Sequence, residues 1–183
     1  MDTWIVVVIV VAVLAILGVL AWAFSKRRRT EHLKERFGPE YDRTVAETDK
    51  PREAEKELLA REERHEELDL RPLPDAARER FRGEWQTVQA QFVDDPEGAV
   101  RAADGLVARV MDERGYPTDG DAAARADDLS VEHAWVVGEY RRGHELLEGL
   151  AESDDSTERL RESMQCFRKA FEELLEDTEV ART

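Results

Sequence analysis

Cysteine is all but missing from this 183-residue chain, and beyond the first apolar run there is almost no strand signal. A lone Cys166 excludes an intramolecular disulfide, which suits a reducing compartment. Lysine is scarce too, so most of the 27 cations are arginines. Six prolines and ten glycines punctuate the chain too thinly for a turn-rich sandwich or barrel. No glycine-rich phosphate cradle, nucleophile elbow or dinucleotide fingerprint occurs. Net positive charge is absent as well. The formal charge is −15, and beyond Arg29 there are 23 basic against 41 acidic residues, a formal −18. A surface of that sign repels nucleic acid, whose binding needs cations set against phosphates.

What the chain does have is one long apolar run. Thr3 to Phe24 reads TWIVVVIVVAVLAILGVLAWAF and ends in Lys26-Arg27-Arg28-Arg29. As a helix, Trp4 to Trp22 spans about 27 Å, near the ~30 Å of a bilayer core. Trp4 and Trp22 fall where aromatic rings prefer the membrane interface. The expectation is a single-pass anchor over residues 1–25, with Lys26, Arg27, Arg28 and Arg29 holding the downstream side. Cationic flanks stay in the cytoplasm, so this reading puts the amino terminus outside and the rest in the cytoplasm of an inner membrane. The rival is a signal peptide cut after Ala21-Trp22-Ala23, which would export the protein to the envelope. A missing basic n-region, an over-long apolar run and cations just past the cut oppose it.

The remaining residues read as all-α. Residues 26–70 form charged juxtamembrane helices: one to about residue 37, stopped by Gly38-Pro39, and another over Arg52 to Glu67. Only Ala54, Leu58, Leu59 and Ala60 are apolar in the latter, so a solvated stalk is expected. Residues 71–177 are expected to be an acidic antiparallel bundle of about four helices, and 178–183 a disordered tail. Helix one, about Asp75 to Val93, sets Phe81, Trp85, Val88 and Phe92 on a coiled-coil-like seam. Helix two begins at Asp95-Pro96, buries Val100, Ala103, Val107 and Val110 with Leu106 and Met111, and ends at Gly115. Thr118 to Asp128 is small and acidic, and reads as a loop, or a loop with a frayed helical turn. Helix three runs from about Val131 to Ala151, capped by Ser130. Helix four follows a capping box of Asp155 and Glu158 and carries Leu160, Met164, Phe167, Phe171 and Leu174.

Chemistry has few candidates. His133, Tyr140 and His144 recur on one face of the expected third helix, which suggests a ligand, metal or proton-handling pocket. Eleven residues, about 16 Å, separate the two histidines, so they cannot share one ion. Boundary or hydrogen-bonded core histidines are the favoured reading. His144-Glu145-x-x-Glu148 fails the zinc-protease motif, because Glu148 stands where the second histidine belongs. Glu62 and His65 give a single Glu-x-x-His, where a di-iron bundle needs two. Asp119-Gly120-Asp121 lacks the rest of a calcium loop. Cys166 reads as a buried, inert thiol, and Trp85 and Trp135 as core or boundary aromatics. No catalytic residue, metal or cofactor is therefore expected.

Four segments, taken together, carry a resemblance: Glu35–Val45 (ERFGPEYDRTV), Arg52–Leu73 (REAEKELLAREERHEELDLRPL), Gly83–Pro96 (GEWQTVQAQFVDDP) and Glu113–Pro117 (ERGYP). They resemble an uncharacterised family of bacterial, actinobacterial-type single-pass membrane proteins. The resemblance implies a bacterial origin and a short anchor, and brings no activity or site residue. The functional expectation is a non-enzymatic interaction or adaptor module with two partners, the lipid bilayer and a further protein. The alternatives are a ligand- or metal-binding bundle and the exported envelope protein.

Overall fold

A computed structural model describes residues 3–152 and 156–176; the side chains of Thr3, Ile5, Val6, Ile9, Val10, Val11, Ala15, Ala151 and Glu152 lie outside the description. The chain is all-helical, with 84% helix and no strand among the described residues. In order the helices are α1 (Thr3–Phe37), α2 (Pro39–Thr48), α3 (Pro51–Glu66), α4 (Asp75–Gln91), α5 (Pro96–Arg114), α6 (Ala122–Glu132), α7 (Val137–Glu148) and α8 (Ser156–Glu176). A short 3₁₀ turn, Gly149–Glu152, precedes α8. The expected tail and the Asp155 half of the expected capping box lie outside the described residues.

The principal core is built where the sequence periodicity is strongest. Val100, Ala103, Leu106, Val107, Val110 and Met111 of α5 are all fully buried. They meet Leu160, Met164, Phe167, Phe171 and Leu174 of α8, and Phe81 and Trp85 of α4 close one side. Trp85 stacks on Phe171 with ring centroids 4.7 Å apart, the offset arrangement aromatic quadrupoles favour. α5 starts as its sequence demands, with Asp95 accepting from the Gly98 amide at 3.0 Å. It ends at Gly115, whose φ of 97° is open to glycine at little cost. A Cβ there would also lie 2.6 Å from the Asp69 carbonyl oxygen. Arg114, buried one residue earlier, donates to the Leu174 carbonyl at 3.1 Å and so caps the last turn of α8 with a cation.

Three expectations need correction. Residues 118–121 are a loop, but residues 122–128 are not. From Ala122 they form α6, capped by Asp121, which accepts from the Ala124 amide at 2.9 Å. Three alanines after a capping aspartate are strong enough helix formers to offset the acidic residues that follow. The expected third helix is consequently two helices. Ser130 caps nothing; its hydroxyl donates back to the Asp127 carbonyl at 2.6 Å inside α6. The chain turns at His133–Val136 before α7 starts.

The second correction concerns the stalk. α3 buries Ala54, Glu55, Leu58, Arg61 and His65, and packs against α1, α2 and α6. Leu33, Phe37, Tyr41, Leu58 and Val131 form a second apolar cluster there. α3 was expected to be solvated because it holds so few apolar residues. It is buried because Glu55 and Arg61 find polar partners there.

The third concerns the anchor. α1 runs as one helix from Thr3 through the basic residues to Phe37, at the Gly38-Pro39 stop. Among the described residues, no helix is long and apolar enough to cross a membrane. That finding overturns the single-pass transmembrane reading and, with it, the inner-membrane localisation. The part of the reading that rests on the side chains of Ile5, Val6, Ile9, Val10, Val11 and Ala15 lies outside the described residues. Trp4 and Trp22 are 67% and 64% exposed. The basic residues expected as an anchor flank have local engagements: Lys26 lies 6.0 Å from the Trp22 ring, Arg28 lies 4.4 Å from the Phe24 ring, and Arg27 pairs with Glu31 at 3.2 Å.

One carboxylate joins the two halves of the fold. Glu40 of α2 is only 2% exposed, and its Oε1 accepts from Arg43, Arg61 and Arg141 at 2.8, 2.9 and 2.9 Å. Arg61 and Arg141 also reach Asp127 Oδ1 of α6, at 3.1 and 2.7 Å, and Arg61 pairs with Glu57. Four helices, α2, α3, α6 and α7, thus meet on two acidic groups. Burial pushes the Glu40 carboxyl up, but Arg43, Arg141 and Arg61 together hold it below the usual range. A depressed folded value means this stability is complete above about pH 4.5 and is lost as pH falls through the folded value. Glu40→Gln, which leaves buried guanidiniums undercompensated, is expected to cost about 3–5 kcal/mol in urea denaturation. In that variant the corresponding acid-side loss of stability should shrink.

Candidate functional site

The residues singled out in the sequence do not come together as one site. Tyr140 and His144 share the buried side of α7, with ring centroids 4.8 Å apart. His133 lies instead at the C-terminus of α6, across the turn, where its Nδ1 is 3.4 Å from Glu173 of α8. The break before α7 removes His133 from the helical face on which the sequence spacing had placed it.

Around Tyr140 and His144 the structure builds a compact polar network. Tyr140 donates its hydroxyl proton to Asp104 Oδ1 of α5 at 3.1 Å and accepts from Arg125 Nε of α6 at 2.8 Å. His144 Nε2 approaches Asp104 Oδ1 to 3.0 Å, without hydrogen-bond alignment. A terminal nitrogen of Arg125 lies 3.5 Å from the other oxygen of Asp104. Phe167 covers the network, its ring centroid 5.0 Å from that of His144 and 5.8 Å from that of Tyr140. Burial raises the Asp104 carboxyl, but His144, Arg125 and Tyr140 outweigh it and hold the group below its ordinary range. Burial, then the Asp104 charge, drive the Tyr140 phenol well above its ordinary value, so it stays protonated at neutral pH.

This network has the parts of a histidine–carboxylate pair but no nucleophile within it. Its side-chain contacts join three helices, α5 through Asp104, α6 through Arg125 and α7 through Tyr140 and His144, and Arg125 also donates to the Gly120 carbonyl at 3.2 Å. Its chemistry is that of an internal cross-link. Among the described residues no group of three or more His, Cys, Asp or Glu could hold a metal ion. The metal-binding alternative therefore has no ligand set to rest on there. Asp104 and Arg125 were missed in the sequence reading. Asp104 falls one residue beyond the apolar stripe position Ala103, and Arg125 sat in a presumed loop.

Cys166 of α8 is buried, and its Sγ lies 3.4 Å from Glu139. Burial and that neighbouring carboxylate push the thiol up to about 11. Trp85 is a core aromatic, as its spacing suggested. Trp135 is not; it is 83% exposed, on the turn between α6 and α7.

Comparison with protein-family models, curated proteins and solved structures found no match for this chain. Two outcomes follow from the geometry. Cys166 should react with a soluble disulfide reagent at pH 7.5 at least about tenfold more slowly than a free thiol of ordinary pKa, and should reach that rate only on denaturation. Asp104→Asn should lower stability by about 1–3 kcal/mol in thermal or urea unfolding, because it withdraws the charge His144 and Arg125 face.

Proposed function

We propose that this protein is a non-enzymatic interaction module, an acidic antiparallel helical body carried on a helix that offers apolar surface to a partner protein. One observation supports this reading above the others. Trp4, Val7, Val8, Val13, Leu14, Ile16, Leu17, Val19, Leu20, Trp22 and Phe24 of α1 are all exposed large apolar side chains. Exposed apolar surface of that extent on one element is a feature of recognition sites. The same helix enters the body, where Leu33 and Phe37 are fully buried, so the offered segment and the body are one continuous helical piece. A partner covering it supplies apolar side chains, as a helix laid against a helix does.

The polar networks argue for the same class. Glu40, Asp104 and their arginines are consumed in holding helices together. The acidic surface adds solubility and favours a basic rim on whatever binds. The resemblance to actinobacterial proteins of unassigned activity is compatible with this class.

The test is affinity capture with crosslinking on the full chain against a chain starting at Ser25. The expectation is one or more proteins recovered reproducibly with the full chain and depleted at least about tenfold without the apolar segment. Equal recovery by both chains would overturn the role given to α1. Partition of the full chain into protein-free lipid vesicles, with nothing captured, would overturn the protein-partner reading.

A further inference from the structure

The two histidines at the seam between α3 and α6 are used by neither the internal network nor the proposed recognition surface. His65 occupies the last turn of α3 and is only 7% exposed. Its Nε2 is buried without a hydrogen-bond partner. The nearest carboxylate, Glu132 Oε1 of α6, is 3.8 Å away, and its other oxygen accepts from the Tyr116 hydroxyl at 3.2 Å. Tyr116, from the segment after α5, also tilts its ring over the imidazole at 6.2 Å between centroids.

The charged groups facing His65 come from every side of the seam. Arg36 of α1 and His133 at the end of α6 oppose a positive charge on it; Glu132 of α6 and Glu66 of α3 favour one. His133 is itself beside Glu173 of α8. A neutral imidazole fits this pocket. A protonated one brings two N–H donors into it, and its Nε2 finds no aligned acceptor and a cation nearby on α1.

We infer that the His65 pocket is a proton-operated latch: protonating this imidazole loosens α3 from α6, and with it the packing of α1 and α2 on the bundle. The geometry makes undocking favourable to the proton, because water solvates in the open form what the pocket cannot. Burial, set against the partial attraction of Glu132, holds the His65 value below that of an ordinary histidine. The sign follows. Above about pH 6.5 both forms are neutral and docking is intact. Below that, the open form takes the proton first and docking weakens, until the docked form also protonates. The window lies above the one set by Glu40, so the two are separable.

The experiment is hydrogen exchange of the full chain read by mass spectrometry at pH 7.5, 6.5 and 5.5, each rate divided by its intrinsic value. α3 peptides are expected to lose protection by up to about tenfold per pH unit below 6.5, while α8 peptides hold theirs. His65→Gln, which stays neutral, should flatten the α3 response; His133→Gln should leave it. A flat response in the wild-type chain, persistence of the response in His65→Gln, or its loss in His133→Gln alone would each overturn the latch. Direct titration of the wild-type His65 ring by NMR requires no variant. A midpoint below that of a histidine peptide supports the proposal, and one at or above it defeats it.

Discussion

The arrangement of helices in this protein depends on the Glu40 carboxylate. Three guanidiniums, from α2, α3 and α7, converge on one of its oxygens, and two of them continue to Asp127 on α6. Taking such groups from water costs several kcal/mol per ion, which offsets much of the attraction between them. The cluster therefore contributes little net stability compared with an apolar contact of the same volume. Its larger effect is on geometry. If α3 slid by one turn, Arg61 would move about 5.4 Å and leave buried Glu40 and half-buried Asp127 short of a partner. An apolar interface tolerates such a slip at modest cost, whereas this one does not.

That constraint also explains which parts of the fold were legible in the sequence. The stripes of α5 and α8 are written in valine, leucine, methionine and phenylalanine, so their period reads directly as burial. α3 has the same period, with Ala54, Leu58, Arg61 and His65 at steps of four, three and four, and all four are buried. Half of that stripe is polar, and a hydrophobicity pattern cannot report a guanidinium whose burial depends on carboxylates 21 and 66 positions away. Polar residues that complete an apolar stripe are the signal that was there to be read.

The network around Tyr140 was legible only in part, for a different reason. The spacing of Tyr140 and His144 at one helical turn correctly places both on one side of α7, and Tyr140 is fully buried. Extending that spacing back to His133 assumed an unbroken helix. The backbone instead closes the last turn of α6 with the His133 amide on the Leu129 carbonyl at 2.8 Å, then turns. No proline or glycine marks that break, since residues 131–137 read VEHAWVV. The bend lets Val131 join the cluster with Leu33 and Phe37 while Val137 and Tyr140 join the main core. Tertiary packing on two separate cores overrides local helix propensity here.

α1 relates these two cores to the apolar segment that precedes them. From Phe24 to Leu33 the helix runs nine residues, about 14 Å, with no proline or glycine to bend it. Thr30 donates to Glu55 of α3 at 2.7 Å, and His32 and Glu62 are 2.9 Å apart, so the grip of α3 begins within two turns of Phe24. A helix held this way behaves as a lever. Whatever fixes the direction of its apolar half fixes the direction of the acidic body as well, as long as α3 remains docked. With a partner on Trp4 to Phe24, as proposed, orientation would be set at two places, that covered surface and the seam at His65. The first would hold one end of the lever, and the second would decide whether the body is rigidly attached to the other.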